Sequence, residues 1–168
     1  MKVKILMLFF FASLSAHGHD QNEFVDNTCN IKNEYVASIN ELQKAKIRNK
    51  RKQFYKTFFK ENLKIDNWRG NIVQLGIVGE NKIHLSVRLN CGIELTTWNN
   101  AFSDISTGSL ISLYGEIGDK LINAEVGQRI IFSGIFVLGD RDYIEEQSIT
   151  QSGSLTNPEF TFLFTSID

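Results

Sequence analysis

A mainly β protein is predicted, a small five-stranded barrel preceded by a long N-terminal α-helix. Three observations on the 168-residue chain predict it. From Ile31 to about Asn62 there is no Pro or Gly, and apolar residues recur at helical spacing. Past Trp68 the pattern becomes alternating, with a period of two. From there glycines punctuate the chain about every eight to twelve residues, the rhythm of short strands and turns.

The chain opens MKVKILMLFFFASLSAHGHD. Lys2 and Lys4 precede a largely apolar run from Ile5 to Leu14, and Ser15, Ala16 and Gly18 follow. This is the pattern of a secretory signal peptide cleaved after Ala16 or Gly18. A spanning helix needs about 20 apolar residues, so no stable membrane span is expected. No cysteine follows the run where a lipid would be attached, which disfavours a lipoprotein. The expected address is periplasmic or secreted. The expected organisation is a signal peptide over 1–18, a basic helical segment over 19–65 and a barrel domain over 66–168. The 150 residues after the leader suffice for one domain that buries about 68–70% of its unfolded surface.

After the leader, 16 Lys and Arg face 19 Asp and Glu, a net charge of −3 that does not favour a dedicated nucleic-acid binder. The distribution is uneven, with a net of +4 over 19–70 and −7 over 71–168. Two cysteines, Cys29 and Cys91, allow one intramolecular pairing in an oxidising compartment. A disulfide is expected, closing a loop worth about 4 kcal/mol by the chain-entropy model. The rival readings, a catalytic thiol or a metal site, lack a nearby His, Asp or Glu at ligand spacing.

In the helical segment, Ile31, Tyr35, Ile39 and Leu42 form an amphipathic stripe, and Phe54 with Phe58 and Tyr55 with Phe59 repeat the i, i+4 relation. This reads as one long helix, or two with a break near Asn49. Between the apolar clusters, KAKIRNKRK at 44–52 carries Lys44, Lys46, Arg48, Lys50, Arg51 and Lys52. They point nearly all round the helix, so the turn is expected to be solvated, and it is a candidate surface for an anionic partner such as lipid headgroups, nucleic acid or an acidic protein.

The first strand is WRGNIVQLGIVG at 68–79, with a bend expected at Gly76 and a turn at Gly79-Glu80-Asn81. In the second, Ile83, Leu85, Val87 and Leu89 face inward and Lys82, His84, Ser86 and Arg88 outward. Cys91-Gly92 turns the chain into a third strand with Ile93, Leu95 and Thr97 inside and Glu94, Thr96 and Trp98 outside. A short helix is expected within 110–124, weakened by Gly115 and Gly118. A fourth strand places Ile130, Phe132, Phe136 and Leu138 inside, with Gly134 where the strand bends or admits a close neighbour. The fifth, 159–167, alternates Phe160, Phe162 and Phe164 behind Pro158, and Tyr143 to Thr150 adds a shorter strand.

Three strands, a helix and two strands is the order of the OB-fold, a Greek-key barrel. The pattern of Gly127–Phe136, the run Trp68-Arg69-Gly70-Asn71-Ile72 and the ending Gly153-Ser154 with Asn157-Pro158-Glu159-Phe160 resemble a group of secreted bacterial proteins with an OB-like barrel. More loosely, they resemble the tRNA-anti-like OB proteins. The likeness covers about 66–168, excludes the helical segment, and implies fold and address without an activity or catalytic residues.

OB-folds bind mostly on the outer face of strands two and three. Here that face offers Lys82, His84, Arg88, Thr96 and Trp98 as a candidate groove for a sugar, a nucleic-acid strand or an extended peptide. The alternative is an ordinary solvated strand face. DRDYIEE at 140–146 crowds Asp140, Asp142, Glu145 and Glu146 but lacks the spacing of a calcium loop, so a solvated turn is expected. His17 and His19 straddle the expected cleavage site, leaving His84 as the other histidine. No metal, cofactor or catalytic set is predicted. The expected function is non-enzymatic: an envelope binding or accessory protein whose partner is a protein or an anionic polymer, nucleic acid being possible but not favoured. The alternatives are a nuclease-like or other hydrolytic enzyme, drawing on Asp140, Arg141 and Asp142, and a structural envelope component.

Overall fold

The structure, a computed structural model, describes residues 19–60 and 62–168. The expected leader lies outside the described residues. Asp20 caps the first helix: its carboxylate accepts from the backbone N–H groups of Asn22 and Glu23, two donors that a helix start leaves free. Helix α1 spans Gln21–Val36 and α2 spans Glu41–Phe59. The chain therefore breaks at residues 37–40, not near Asn49. Asn40 Oδ1 accepts from the Gln43 N–H at 2.9 Å, and Gln43 Oε1 accepts from the Ile39 N–H at 3.0 Å. This reciprocal pairing, of the capping-box kind, starts a new helix and resets the helical phase. Ile31 and Tyr35 are buried as expected, but Ile39 and Leu42, expected to continue their stripe, are 86% and 84% exposed.

The barrel is closed by five strands: β1 (Lys64–Val78), β2 (Lys82–Arg88), β3 (Glu94–Thr96), β5 (Arg129–Phe136) and β8 (Glu159–Ile167). The first half of β1 pairs with β5 and its second half with β2; β2 pairs with β3, β3 with β8, and β8 with β5. All these pairings are antiparallel except β3 with β8, where Leu95 stands opposite Phe160 in a parallel register. That closure is an OB-like barrel. The smaller elements are β4 (Ile111–Ser112), which adds to the start of β2, α3 (Glu116–Leu121), the hairpin of β6 (Leu138–Gly139) with β7 (Tyr143–Ile144), and α4 (Gln151–Thr156). Leu138, expected inside the barrel, is 62% exposed because the chain has already left the wall for that hairpin. Likewise the expected strand from Tyr143 contributes two residues, paired with β6, and one bridge from Glu146 to Phe160.

The bend in β1 is a bulge between Ile72 and Gln74, where the strand passes from β5 to β2. Gly76, expected to make it, pairs regularly with His84, and a Cβ there would touch nothing within 4 Å. The glycines that matter lie at close approaches. A Cβ on Gly70 would stand 2.5 Å from Val87 Cγ1. One on Gly134 would stand 2.2 Å from the Leu163 carbonyl oxygen and 2.4 Å from the Phe162 ring.

The helices share the barrel's core. Phe24 of α1 is fully buried, with ring centroids 5.2–5.9 Å from Tyr55, Phe59, Trp68, Phe136 and Phe160. Offset and edge-on contacts of this kind add about 0.5–1.5 kcal/mol per pair beyond burial. A second seam is covalent. Cys29 of α1 forms a disulfide with Cys91 in the turn Asn90–Gly92, with Cα atoms 6.0 Å apart. Lys32 of the same helix donates to the Cys91 carbonyl at 3.2 Å. Among the described residues no helix is long and apolar enough to cross a membrane.

The glycine geometry sets a paired test. Gly134→Ala should destabilise the protein by about 1–3 kcal/mol in urea unfolding, because backbone must shift to admit the methyl group. Gly76→Ala should stay within about 0.5 kcal/mol of the parent.

Candidate functional site

Arg51, expected on a solvated basic turn, is 1% exposed. Its guanidinium donates to Asp142 at 3.2 Å, to Glu146, to Ser154 Oγ at 3.0 Å and to Tyr55 Oη at 3.3 Å. It also lies 5.3 Å from the Tyr55 ring centroid and 5.7 Å from that of Phe160. Sequence reasoning missed this because the carboxylates are more than 90 residues away, Asp142 in the turn of the β6–β7 hairpin and Glu146 just after it, beside β8. The expected solvated acidic turn at 140–146 is corrected with it: Asp142 and Glu146 are committed to Arg51. Glu145, left without that cation, has its pKa raised by burial and then by the charge of Asp140. A buried arginine with two carboxylate partners is a fastening between α2, α4 and the hairpin. Truncating it strands the carboxylates, so Arg51→Ala should cost about 3–5 kcal/mol in urea unfolding. Arg51→Met combined with Glu146→Gln should cost less than Arg51→Ala alone, because it removes the more buried of the two stranded charges and leaves only the partly exposed Asp142.

Of the other helical candidates, Lys44 and Arg48 are half-buried, and both pair with Glu41. Lys50 is exposed and pairs with Glu34 at 2.5 Å. Lys46 and Lys52 are exposed and form no ion pair among the described residues.

The candidate barrel face does not form one surface. Lys82 and Arg88 are exposed, but they occupy opposite ends of β2, about 20 Å apart at strand rise. Thr96, expected outside, is buried: its hydroxyl donates to the Thr97 carbonyl, and Gln147 reaches across to the Thr97 carbonyl beside it. Trp98 is half-buried, its indole N–H donating to Thr107 and its backbone N–H to Ser109. It is fixed into its own loop.

His84 is pinned too. Nδ1 stands 3.1 Å from Thr97 Oγ1 and 3.3 Å from the Trp98 carbonyl, and Nε2 stands 2.9 Å from Gln74 Oε1. Burial lowers its pKa below 6.5 against the opposing pull of the backbone groups of Trp98 and Thr97. The neutral ring is thus favoured in the folded state, and the unfolded chain takes up the proton first as pH falls below 6.5. Stability held above that value is lost on acidification toward the lowered folded value. The melting temperature of wild type relative to His84→Gln should therefore fall between about pH 7.5 and pH 5.5. A difference unchanged with pH would contradict this linkage.

What the fold assembles instead lies on the β5–β1–β2 wall. Asn71 is the register partner of both Arg88 and Arg129. Directly opposed residues project to the same face with Cβ atoms about 4.5–5.5 Å apart, so an Arg–Asn–Arg row crosses three strands. Arg69, two residues earlier on β1, joins the same face, and all four residues are exposed. Gln21, at the start of α1, locks that stretch by accepting from the Arg69 N–H at 2.8 Å and donating to its carbonyl at 2.6 Å. Arg88 is oriented by Glu94, at 2.9 Å through Nε and 2.6 Å through a terminal nitrogen. Arg69 and Arg129 form no ion pair among the described residues. A polar cleft runs over this row, bordered by Asn22, Asn67, Asn90 and Gly127. The signal was present in the alternation, with Arg69 and Asn71 outward between buried Trp68, Gly70 and Ile72. The pairing of β1 with β5 was needed to bring in Arg129.

Among the described residues no group of three or more His, Cys, Asp or Glu is placed to hold a metal ion. Compared with known proteins, the chain matches no family model, no curated protein and no solved structure.

Proposed function

We propose that this is an extracytoplasmic binding protein, non-enzymatic, whose barrel wall takes a partner bearing closely spaced anionic groups on an acidic protein or an anionic polymer. The observation that carries it is the exposed row of Arg88, Asn71 and Arg129 with Arg69 beside it. Guanidinium groups match carboxylate and phosphate oxygens in paired hydrogen bonds, and the amide between them supplies both a donor and an acceptor. The disulfide supports the address, since such bonds persist in oxidising compartments. The hydrolase reading is disfavoured: Asp142, a carboxylate it would use, is held by Arg51.

Fluorescence anisotropy with two labelled probes, an oligoglutamate peptide and an inorganic polyphosphate chain, tests this reading. At least one probe should bind, with affinity falling as salt rises. Arg69→Glu with Arg129→Glu should weaken that binding at least about tenfold, while Lys82→Glu leaves it within twofold, a change of about 0.4 kcal/mol. Failure of both probes to bind, or equal binding by the arginine variant, would overturn it.

A further inference from the structure

The corner between α1 and α2 presents a feature that the arginine row does not explain. Val36, Ile39 and Leu42 are 66%, 86% and 84% exposed at the end of a helix pair whose other large apolar residues are buried or partly buried. Nor is the corner loose. The Asn40–Gln43 caps fix it, the Ser38 N–H donates to the Tyr35 carbonyl at 3.2 Å, and the Ser38 hydroxyl donates to the Glu34 carbonyl at 2.8 Å. Below it Lys50 bridges to Glu34, and Lys44 lies over the Tyr35 ring. Three aliphatic side chains are thus exposed at a braced corner.

The charge behind the corner says what meets it. Within ten residues of Leu42 α2 carries Lys44, Lys46, Arg48, Lys50 and Lys52, of which Lys46, Lys50 and Lys52 are exposed. Nearby, Glu34 and Glu41 are each already paired, and Lys46 and Lys52 have no carboxylate partner among the described residues. Aliphatic groups at the corner with cations one to three turns behind match an anionic bilayer, where side chains sink about 5–10 Å while amines stay at headgroup level. A protein partner would need a socket shaped to this corner, whereas a lipid surface deforms around it.

We infer that the α1–α2 corner docks this protein peripherally on an anionic lipid surface, Val36, Ile39 and Leu42 entering the interface and Lys46 and Lys52 engaging headgroup phosphates. This goes beyond the proposed barrel-wall site and uses other residues. Helix α1 separates the two: Gln21 holds the arginine strand, and Val36, fifteen residues on, reaches the corner about 22 Å away at helical rise. Docking by the corner leaves the arginine row free for its own partner.

Vesicle flotation tests it with residues 19–168, which hold every described element and omit the apolar leader. The protein should float with phosphatidylglycerol–phosphatidylcholine vesicles and not with pure phosphatidylcholine, and added salt should release it. Ile39→Ser with Leu42→Ser, and separately Lys46→Glu with Lys52→Glu, should each lower partitioning at least about fivefold. Both pairs replace exposed side chains, so melting temperatures should match wild type. Arg69→Glu with Arg129→Glu should float as wild type does, which separates failure of this inference from failure of the barrel-wall reading. No flotation with anionic vesicles, or undiminished flotation of either corner variant, overturns the inference. So does a concentration-dependent dimer abolished by the serine pair, since a second copy would then cover the corner.

Discussion

Phe24 is the contact on which the arrangement of helices and barrel depends. An isolated helix of sixteen residues is marginal in water, and α1 gains its stability by placing this ring among Tyr55, Phe59, Trp68, Phe136 and Phe160. Those residues come from α2, β1, β5 and β8, so one side chain joins four elements into a single apolar body. Phe136 also meets Phe162 edge-on at 5.1 Å, and through it the same core continues into Phe132 and Phe164. The helical segment is therefore a cap on the barrel and shares its core.

Apolar packing is non-directional, and polar seams fix how the cap sits. Arg51 ties α2 to the β6–β7 hairpin side through Asp142 and Glu146, and Glu146 in turn accepts from the Glu159 N–H at the start of β8. On another side, the Cys29–Cys91 bond holds α1 to the turn before β3. At the start of α1, Gln21 hydrogen-bonds both backbone groups of Arg69, and the Trp68 indole donates to the His19 carbonyl. Directional contacts at three separated places leave the cap little freedom to rotate, which in turn fixes where its exposed side chains point.

That fixed geometry divides the surface. The barrel wall carries arginines whose outward direction follows from strand alternation, while the far end of the helix pair carries aliphatic residues and lysines. Of the acidic side chains past residue 70, Asp140, Asp142, Glu145 and Glu146 lie in the segment that receives Arg51, and Glu94 pairs with Arg88 on the wall itself. The uneven charge along the sequence is thus carried over only in part: α2 keeps its lysines, while the wall row draws Arg88 and Arg129 from the acidic half of the chain.

Much of the barrel was legible from alternation alone. Ile83, Leu85 and Val87, and Phe160, Phe162 and Phe164, are inside because a period of two leaves them no other face, and Glu159–Ile167 is a strand to the residue. The cysteine pair was legible because two thiols admit one bridge. Even the helix break carried a local signal, Asn40 with Gln43, although the apolar spacing of Ile39 and Leu42 is that of an unbroken helix. Tertiary structure alone decided the fate of Arg51, Thr96 and Asn71. Each depends on a partner brought close by chain closure: Asp142 for Arg51, Gln147 beside Thr96, and Arg88 and Arg129 on either side of Asn71. Local sequence fixes which way a side chain points along its own strand or helix. What it then meets depends on which distant segment lies beside it, and that is set by barrel closure and the packing of the cap.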